Sequence, residues 1–140
     1  MKKIVQPKRA LARKFGRDLV LSGNISGIIG NVDHIIFNAA KVGLMVIRLV
    51  PIKDRKFRVI GTDGYIPLFS LVKPVDTLWM RNLITRFKMM ANLSIAEQRR
   101  FQTGVAHQKL YGAAITIQVV LIPTGNTDFP QELVVGFLGN

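Results

Sequence analysis

Residues 113–122 read AAITIQVVLI, the clearest secondary-structure signal in the chain and the one that determines the fold class. The segment is rich in β-branched side chains, and Ile115, Ile117 and Val119 alternate with polar residues, as expected of a strand with one buried face. The polar segment PTGNTD that follows is typical of a turn, so residues 133–138 are predicted to pair back as a final strand.

A β-hairpin is predicted upstream at residues 44–60, with a first strand ended by a proline and a turn at 52–55. In its second strand Phe57 alternates with Lys56 and Arg58. This alternation predicts one buried face and one cationic face.

An amphipathic helix is predicted from an N-cap at Asp76 or Thr77 to Met90. Its apolar stripe at helical spacing consists of Trp79, Leu83, Phe87 and Met90. A second, solvated face consists of Arg81, Thr85 and Lys88. The stripe is interpreted as core rather than as a membrane-inserting face, because so small a domain needs it for its core.

Two elements are predicted before the hairpin. Residues 18–30 mix β-branched residues with Gly and Ser, which favours one or two short strands. Asn31 or Asp33 can cap a short helix whose end Gly43 marks.

Three further elements are predicted after the hairpin. The segment GTDG at 61–64 is typical of a turn, and residues 65–72 favour an edge strand because they contain a proline. Ser94 and Glu97 have the spacing of a capping box, which predicts a second short helix that carries two arginines and ends at Gly104.

The order of these elements predicts an α+β fold with a mainly antiparallel sheet and two or three helices. At 140 residues the chain is expected to form a single domain. That domain is predicted to span 18–140, after a flexible basic N-terminal arm at 1–17.

The net charge of +12, from 20 Lys and Arg against 8 Asp and Glu, is distributed unevenly. A basic arm without acids is typical of a contact with nucleic acid or an anionic membrane surface, since it neutralises phosphates and releases counterions. A solvated tail that only aids solubility is the alternative. The cations of the arm are Lys2, Lys3, Lys8, Arg9, Arg13, Lys14 and Arg17.

Basic residues also flank aromatic residues, and such pairs can hold phosphates while an exposed ring stacks on a base. Periodicity favours a core position for Phe57 and Phe87, whereas Phe101 and Tyr111 fit a core or an exposed position equally well. The candidate nucleic-acid or membrane contacts outside the arm are Lys56, Arg58, Arg99, Arg100, Lys109 and Tyr111.

The sequence offers little for catalysis, metals or cofactors. It has no cysteine, His34 and His107 lack an acid at ligand spacing, and Asp63 lacks a partner acid or base. No enzyme activity, metal site or cofactor is therefore predicted. The apolar stretch after the arm is too interrupted for a secretion signal, and no run of about 18 apolar residues could cross a bilayer.

The run from Glu97 through two arginines and Phe101 to the pair Leu110 and Tyr111, followed by the alternating strand, resembles the late region of rhabdovirus matrix proteins. The resemblance lies mainly in residues 97–122, and the basic arm is similar by charge only. It implies a non-enzymatic structural protein that self-associates, condenses a ribonucleoprotein and lines an anionic membrane. The chain is short and lacks the Pro-Pro-x-Tyr and Pro-Thr-Ala-Pro motifs, so recruitment of budding machinery is not implied.

Two main hypotheses follow. The first is a viral, matrix-like structural protein that binds RNA or ribonucleoprotein and an anionic membrane surface and forms homo-oligomers. It would lie in the virion or in the cytoplasm and membrane periphery of a host cell, and would not be secreted. The second is a sequence-tolerant nucleic-acid-binding protein, such as a capsid, movement or ribosome-associated protein, with no membrane role. A third hypothesis is an enzyme on acidic substrates, which a pocket holding His107 and an acid would favour.

Overall fold

The computed structural model describes residues 28–62, 69–70 and 74–138, which contain two helices and six strands. Helix α1 (Ile28–Lys41) precedes strands β1 (Val46–Ile52), β2 (Lys56–Thr62) and β3 (Phe69–Ser70). Helix α2 (Thr77–Met90) precedes strands β4 (Gln102–Leu110), β5 (Ala113–Pro123) and β6 (Gln131–Leu138). The predicted α+β class with a mainly antiparallel sheet is confirmed.

The sheet consists of two antiparallel meanders joined side by side, in the strand order β3-β2-β1-β6-β5-β4. The strands β4 and β5 pair along their whole shared length, from Gln102 opposite Leu121 to Leu110 opposite Ala113. The strands β1 and β6 pair only over residues 46–48 of β1. The two meanders therefore meet along a short seam, with β3 and β4 at the edges of the described sheet.

Both helices pack on one face of the sheet, and a single apolar core lies between them and the strands. The predicted alternation in β5 is confirmed, because Ile117 and Val119 are fully buried. In α2 the predicted stripe is also confirmed, since Leu83 and Phe87 are fully buried while its other two members pack against the core. Each fully buried side chain of this kind contributes about 1.5–3 kcal/mol.

Helix α1 begins earlier than predicted. Residues 28–30 are helical and do not form part of a strand, so neither Asn31 nor Asp33 caps the helix. Apolar side chains recur at helical spacing after them and are buried against the sheet, so tertiary packing extends the helix over a segment with strand propensity. Its end is as predicted. The amide of Gly43, at φ 83°, donates to the carbonyl of Ala40 at 3.1 Å, and Leu44 donates to Ala39 at 2.9 Å, which is a Schellman motif.

The predicted hairpin is confirmed, with corrections to its boundaries. Strand β1 begins at Val46 rather than at residue 44, and it includes Ile52, which was predicted to lie in the turn. Pro51 lies inside β1 rather than after it, beyond the last residue that pairs with β6, where a missing amide is tolerated. Gly61 and Thr62 belong to β2, where they pair with β1, rather than to a turn. The short strand β3 at the sheet edge agrees with the predicted edge strand.

The prediction of a second short helix beginning at Ser94 is wrong, because residues 91–101 form a non-helical loop. The hydrogen bonds of a capping box are replaced by others. The Ser94 amide donates to Oε1 of Gln102 at 2.9 Å, and the Glu97 carboxylate accepts from the Arg99 amide at 2.8 Å.

Gly104, predicted to end that helix, lies inside β4, a strand that the sequence pattern did not predict. A Cβ atom at Gly104 would lie 2.7 Å from the carbonyl oxygen of Ala91. Glycine is therefore needed here because β4 passes close to the end of α2, not because a helix stops.

Residues 1–27, 63–68, 71–73 and 139–140 lie outside the described ranges. The basic arm, the strands expected before residue 28 and most of the strand expected at 65–72 stay predictions.

Candidate functional site

Three connections lie together at one end of the sheet: the turn between β1 and β2, the loop between β5 and β6, and the loop at 91–101 that enters β4. They meet because neighbouring strands run in opposite directions. We call this end the basic end and the loop at 91–101 the basic loop. The exposed cations of the basic end are Lys53, Arg55, Lys56, Arg58, Arg99 and Arg100.

The hairpin holds its cations on an ordered turn. The Lys56 amide donates to the Lys53 carbonyl at 3.2 Å, and the two residues between them have left-handed φ values of 61° and 56°. The ring of Phe57 is buried, and its backbone exchanges hydrogen bonds of 2.8 and 2.9 Å with Val75, just before α2. The turn is thus anchored to the core while its charged groups face water.

Lys88, a buried residue of α2, holds the backbone of the basic loop through hydrogen bonds. Its side chain is only 2% exposed, and Nζ donates to the carbonyl oxygens of Ile95 at 3.0 Å and Glu97 at 2.8 Å. The side-chain amides of Gln102 and Gln131 donate through Nε2 to the same Glu97 carbonyl oxygen, at 3.2 and 3.1 Å. Desolvation lowers the pKa of Lys88, and the nearby Glu97 carboxylate partly opposes this.

The buried position of Lys88 corrects the prediction that it lies on a solvated face. Helical periodicity places Lys88 correctly on the helix, but it does not show that the following loop folds back over that face. The wrong helix prediction for the basic loop and the wrong exposure of Lys88 therefore have the same cause.

The Glu97 carboxylate holds the next part of the loop. Its Oε2 accepts from the Arg99 amide, and its Oε1 lies 3.9 Å from Nε of Arg100. The Arg99 hydrogen bond lowers the pKa of Glu97, desolvation raises it, and the Arg100 charge lowers it further. Both arginines are exposed, and Arg99 makes no side-chain ion pair within the part of the chain that the structure describes.

The sequence left open whether two aromatic residues, Phe101 and Tyr111, lie in the core or on the surface. Both are exposed, at 59% for Phe101 and 58% for Tyr111, but they lie at opposite ends of the sheet. Phe101 follows the arginines of the basic loop. Tyr111 forms the two-residue turn between β4 and β5 with Gly112, and its ring lies 5.0 Å from the ring centroids of both His34 and Phe37. One part of the Tyr111 ring therefore packs against α1, although the residue is exposed overall.

The structure does not bring Lys109 to the basic end. Lys109 and Arg58 both lie on the face of the sheet opposite the core, but Arg58 lies near the β1–β2 turn, whereas Lys109 lies at the other end of the sheet. Lys109 also lies next to the Tyr111 turn, at the far end of its strand. The predicted set of contacts therefore divides: Lys56, Arg58, Arg99 and Arg100 share one end, while Lys109 and Tyr111 lie at the other.

Three further cations of the β1–β2 hairpin were not among the candidate contacts predicted from the sequence. Lys53 and Arg55 belong to the segment KDRK, which was interpreted only as a turn although its charge was visible. Arg48 lies on the open face of β1 and forms an ion pair with Glu132 of β6, so part of its charge is neutralised. The seven cations of the arm lie outside the described residues.

Two concave regions lie at the two ends of the sheet. A cavity of about 500 Å³ near Tyr111 is lined mostly by apolar side chains, including Phe37 and Phe137, and by the cation Lys41. A more polar cleft of about 390 Å³ lies between the basic loop and the β5–β6 loop. Neither is lined by His107, whose Nδ1 lies 3.1 Å from the Thr116 hydroxyl. The arrangement that the enzyme hypothesis required is not seen in the described part of the chain.

Among the described residues, no group of three or more His, Asp or Glu side chains is placed to hold a metal ion. No helix in those ranges has the length and hydropathy needed to cross a membrane. No protein-family model matches the sequence, and no curated protein is significantly similar to it. The resemblance to rhabdovirus matrix proteins stays a prediction.

Proposed function

We propose that the protein is a non-enzymatic structural protein that binds single-stranded RNA, free or as ribonucleoprotein, through the basic end. The observation that carries this proposal is the location of exposed cations from both the hairpin and the basic loop at one end of the sheet, where the exposed ring of Phe101 also lies. Cations neutralise phosphates and an exposed ring stacks on a base without sequence preference.

The anchoring of the two segments supports binding rather than mere solubility. A solubilising surface needs scattered charges on mobile side chains. At the basic end the backbone is held instead, by the Phe57–Val75 hydrogen bonds under the hairpin and by Lys88 under the loop. A preformed backbone lowers the conformational entropy that is lost on binding. A surface that serves only solubility has no need of a preformed backbone.

The matrix-like hypothesis adds two further activities to RNA binding: binding to an anionic membrane and self-assembly. An exposed aromatic ring beside two arginines can stack on a base while the arginines hold phosphates, so RNA is proposed first. For self-assembly, the sheet offers β4, a nine-residue strand at the edge of the described sheet, since unpaired edge strands can pair between molecules.

The test compares binding of the full chain to a single-stranded RNA oligonucleotide and to phosphatidylserine vesicles over a range of salt concentrations. We expect RNA binding whose log affinity falls linearly with log salt. The double variant Lys56→Gln/Arg58→Gln should weaken RNA binding and make the salt slope shallower by about 1.4, the value for two lost phosphate contacts on a single strand. Vesicle binding with no RNA binding would overturn the proposal in favour of a membrane role.

A further inference from the structure

The polar cleft at the basic end is the strongest candidate for a specific binding site. Its volume of about 390 Å³ lies within the range of small-molecule sites. One wall is the basic loop and the other is the β5–β6 loop. The lining side chains that matter for binding are Gln98, Arg99, Pro123, Asn126, Thr127 and Pro130.

The β5–β6 wall is held by its own hydrogen bonds. Oδ1 of Asn126 accepts from the amides of Asp128 at 2.8 Å and Phe129 at 3.3 Å, and the Asn126 amide donates to the Thr124 hydroxyl at 3.0 Å. The Thr124 amide donates to the carbonyl of Pro130 at 3.0 Å. Because two amides already occupy the acceptor of Asn126, its side chain presents the Nδ2 donors.

The opposite wall is held by Glu97. Its carbonyl accepts from three buried or half-buried side chains, and its carboxylate fixes the Arg99 amide. The Arg99 guanidinium itself makes no ion pair with a described residue, so it can bind an anion in the cleft.

The chemistry of the lining suits one nucleotide. A guanidinium binds a phosphate, amide and hydroxyl groups bind a base edge, and two proline rings offer an apolar surface to a base or ribose. No carboxylate belongs to the described lining itself; the nearest described carboxylate in sequence is that of Glu97, which binds the Arg99 amide. A phosphate alone would leave the uncharged donors and the proline surfaces without a partner.

We infer that this cleft binds a single nucleotide of a bound RNA strand, with Arg99 on the phosphate and the Asn126 and Gln98 amides on the base. The inference rests on the proposed function and adds a defined subsite to it. The rest of the basic end then supplies sequence-independent contacts along the strand.

The first test is titration of the full-length protein with UMP, AMP or inorganic phosphate, followed through backbone amide NMR signals. We expect UMP and AMP to shift the signals of Gly125, Asn126 and Thr127 at lower concentrations than phosphate does. Equal shifts with phosphate alone would overturn the inference, because the cleft would then be a simple anion site.

The second test changes the shape of the cleft without changing its charge. Thr127→Trp should fill the cleft and weaken binding of an RNA oligonucleotide about tenfold, within the range of one lost base contact, with an unchanged salt slope. Val105→Trp, at an exposed position on β4, is the matched control and should leave affinity unchanged. Thermal melting of both variants shows whether each is folded.

The outcomes separate the subsite from the proposed function. If RNA binds and Thr127→Trp binds it as tightly as the wild type, the cleft inference is wrong while the basic end still stands. If the wild type binds neither RNA nor mononucleotides, both proposals are wrong.

Discussion

The two ends of the sheet carry similar local sequence but differ in what surrounds it. At the basic end, Phe101 follows two arginines, and its ring contacts no other aromatic ring among the described residues. At the far end, Tyr111 follows a lysine by two positions, but its ring packs on His34 and Phe37 of α1. The local basic-aromatic pattern therefore does not show whether its ring is packed. Among the described residues, Phe101 contacts no other aromatic ring, whereas Tyr111 does.

Lys88 should have the largest effect, because it anchors the basic loop without being part of its surface. Lys88→Ala removes two charge-assisted hydrogen bonds and leaves carbonyls in a buried position, which should lower the free energy of unfolding by about 2–4 kcal/mol. Lys109→Ala at the far end is exposed and should change it by less than about 0.5 kcal/mol. Urea unfolding measures both, and equal stabilities of the two variants would contradict the role assigned to Lys88.

The two exposed rings should differ in RNA binding. Phe101→Ala should weaken binding of single-stranded RNA by about 1–3 kcal/mol, the value of one stacked base. Tyr111→Ala should leave the affinity unchanged, because Tyr111 lies at the other end of the sheet. Fluorescence anisotropy with one labelled oligonucleotide compares them, and a loss at Tyr111 equal to that at Phe101 would show that RNA does not distinguish the two ends.

The turn at the far end should matter for stability alone. Gly112 has a φ of 85° and open space around its Cβ position, so Gly112→Ala introduces backbone strain without a clash. We expect a loss of about 1 kcal/mol in the free energy of unfolding and no change in RNA affinity. Gly136→Ala is the matched control, since its site is equally open and its φ lies outside the left-handed region. Equal losses in both variants would rule out strain as the cause.

The smallest effect should be a pH dependence at the basic loop. In the folded protein the pKa of Glu97 lies below its ordinary value of 4.5, chiefly because its carboxylate accepts a hydrogen bond from the Arg99 amide. The ionised carboxylate therefore stabilises the fold above pH 4.5, and this contribution is lost as the pH falls through the lower folded pKa. Glu97→Gln should therefore be less stable than the wild type at pH 7 and approach it at pH 3. A constant difference between the two proteins from pH 7 to pH 3 would contradict this.

Much of the fold could be predicted from local patterns. The period-two alternation of β5, the hairpin, and the helix capped by Asp76, whose Oδ1 accepts from the Trp79 amide at 2.9 Å, all depend on neighbouring residues. The basic loop and β4 could not be predicted in this way. Their conformation depends on Lys88, which lies outside the loop, on Gln131, which is distant in sequence, and on the close approach of Gly104 to Ala91.

The candidate site was predicted only in part for the same reason. Sequence identified Lys56, Arg58, Arg99 and Arg100 as candidate contacts, but it could not show that they share an end of the sheet. Their common location follows from the strand order, in which the pairing of β1 with β6 joins the two meanders.

The assignment of RNA binding to one end of the sheet is tested most directly by two double variants that remove equal charge. Arg99→Gln/Arg100→Gln changes the basic end, and Lys41→Gln/Lys109→Gln changes exposed residues at the far end. Salt-dependent binding of single-stranded RNA should become weaker, with a slope shallower by about 1.4, for the first variant and stay near that of the wild type for the second. Equal losses in both variants would contradict a localised interface and leave only a general attraction between RNA and a protein of net charge +12.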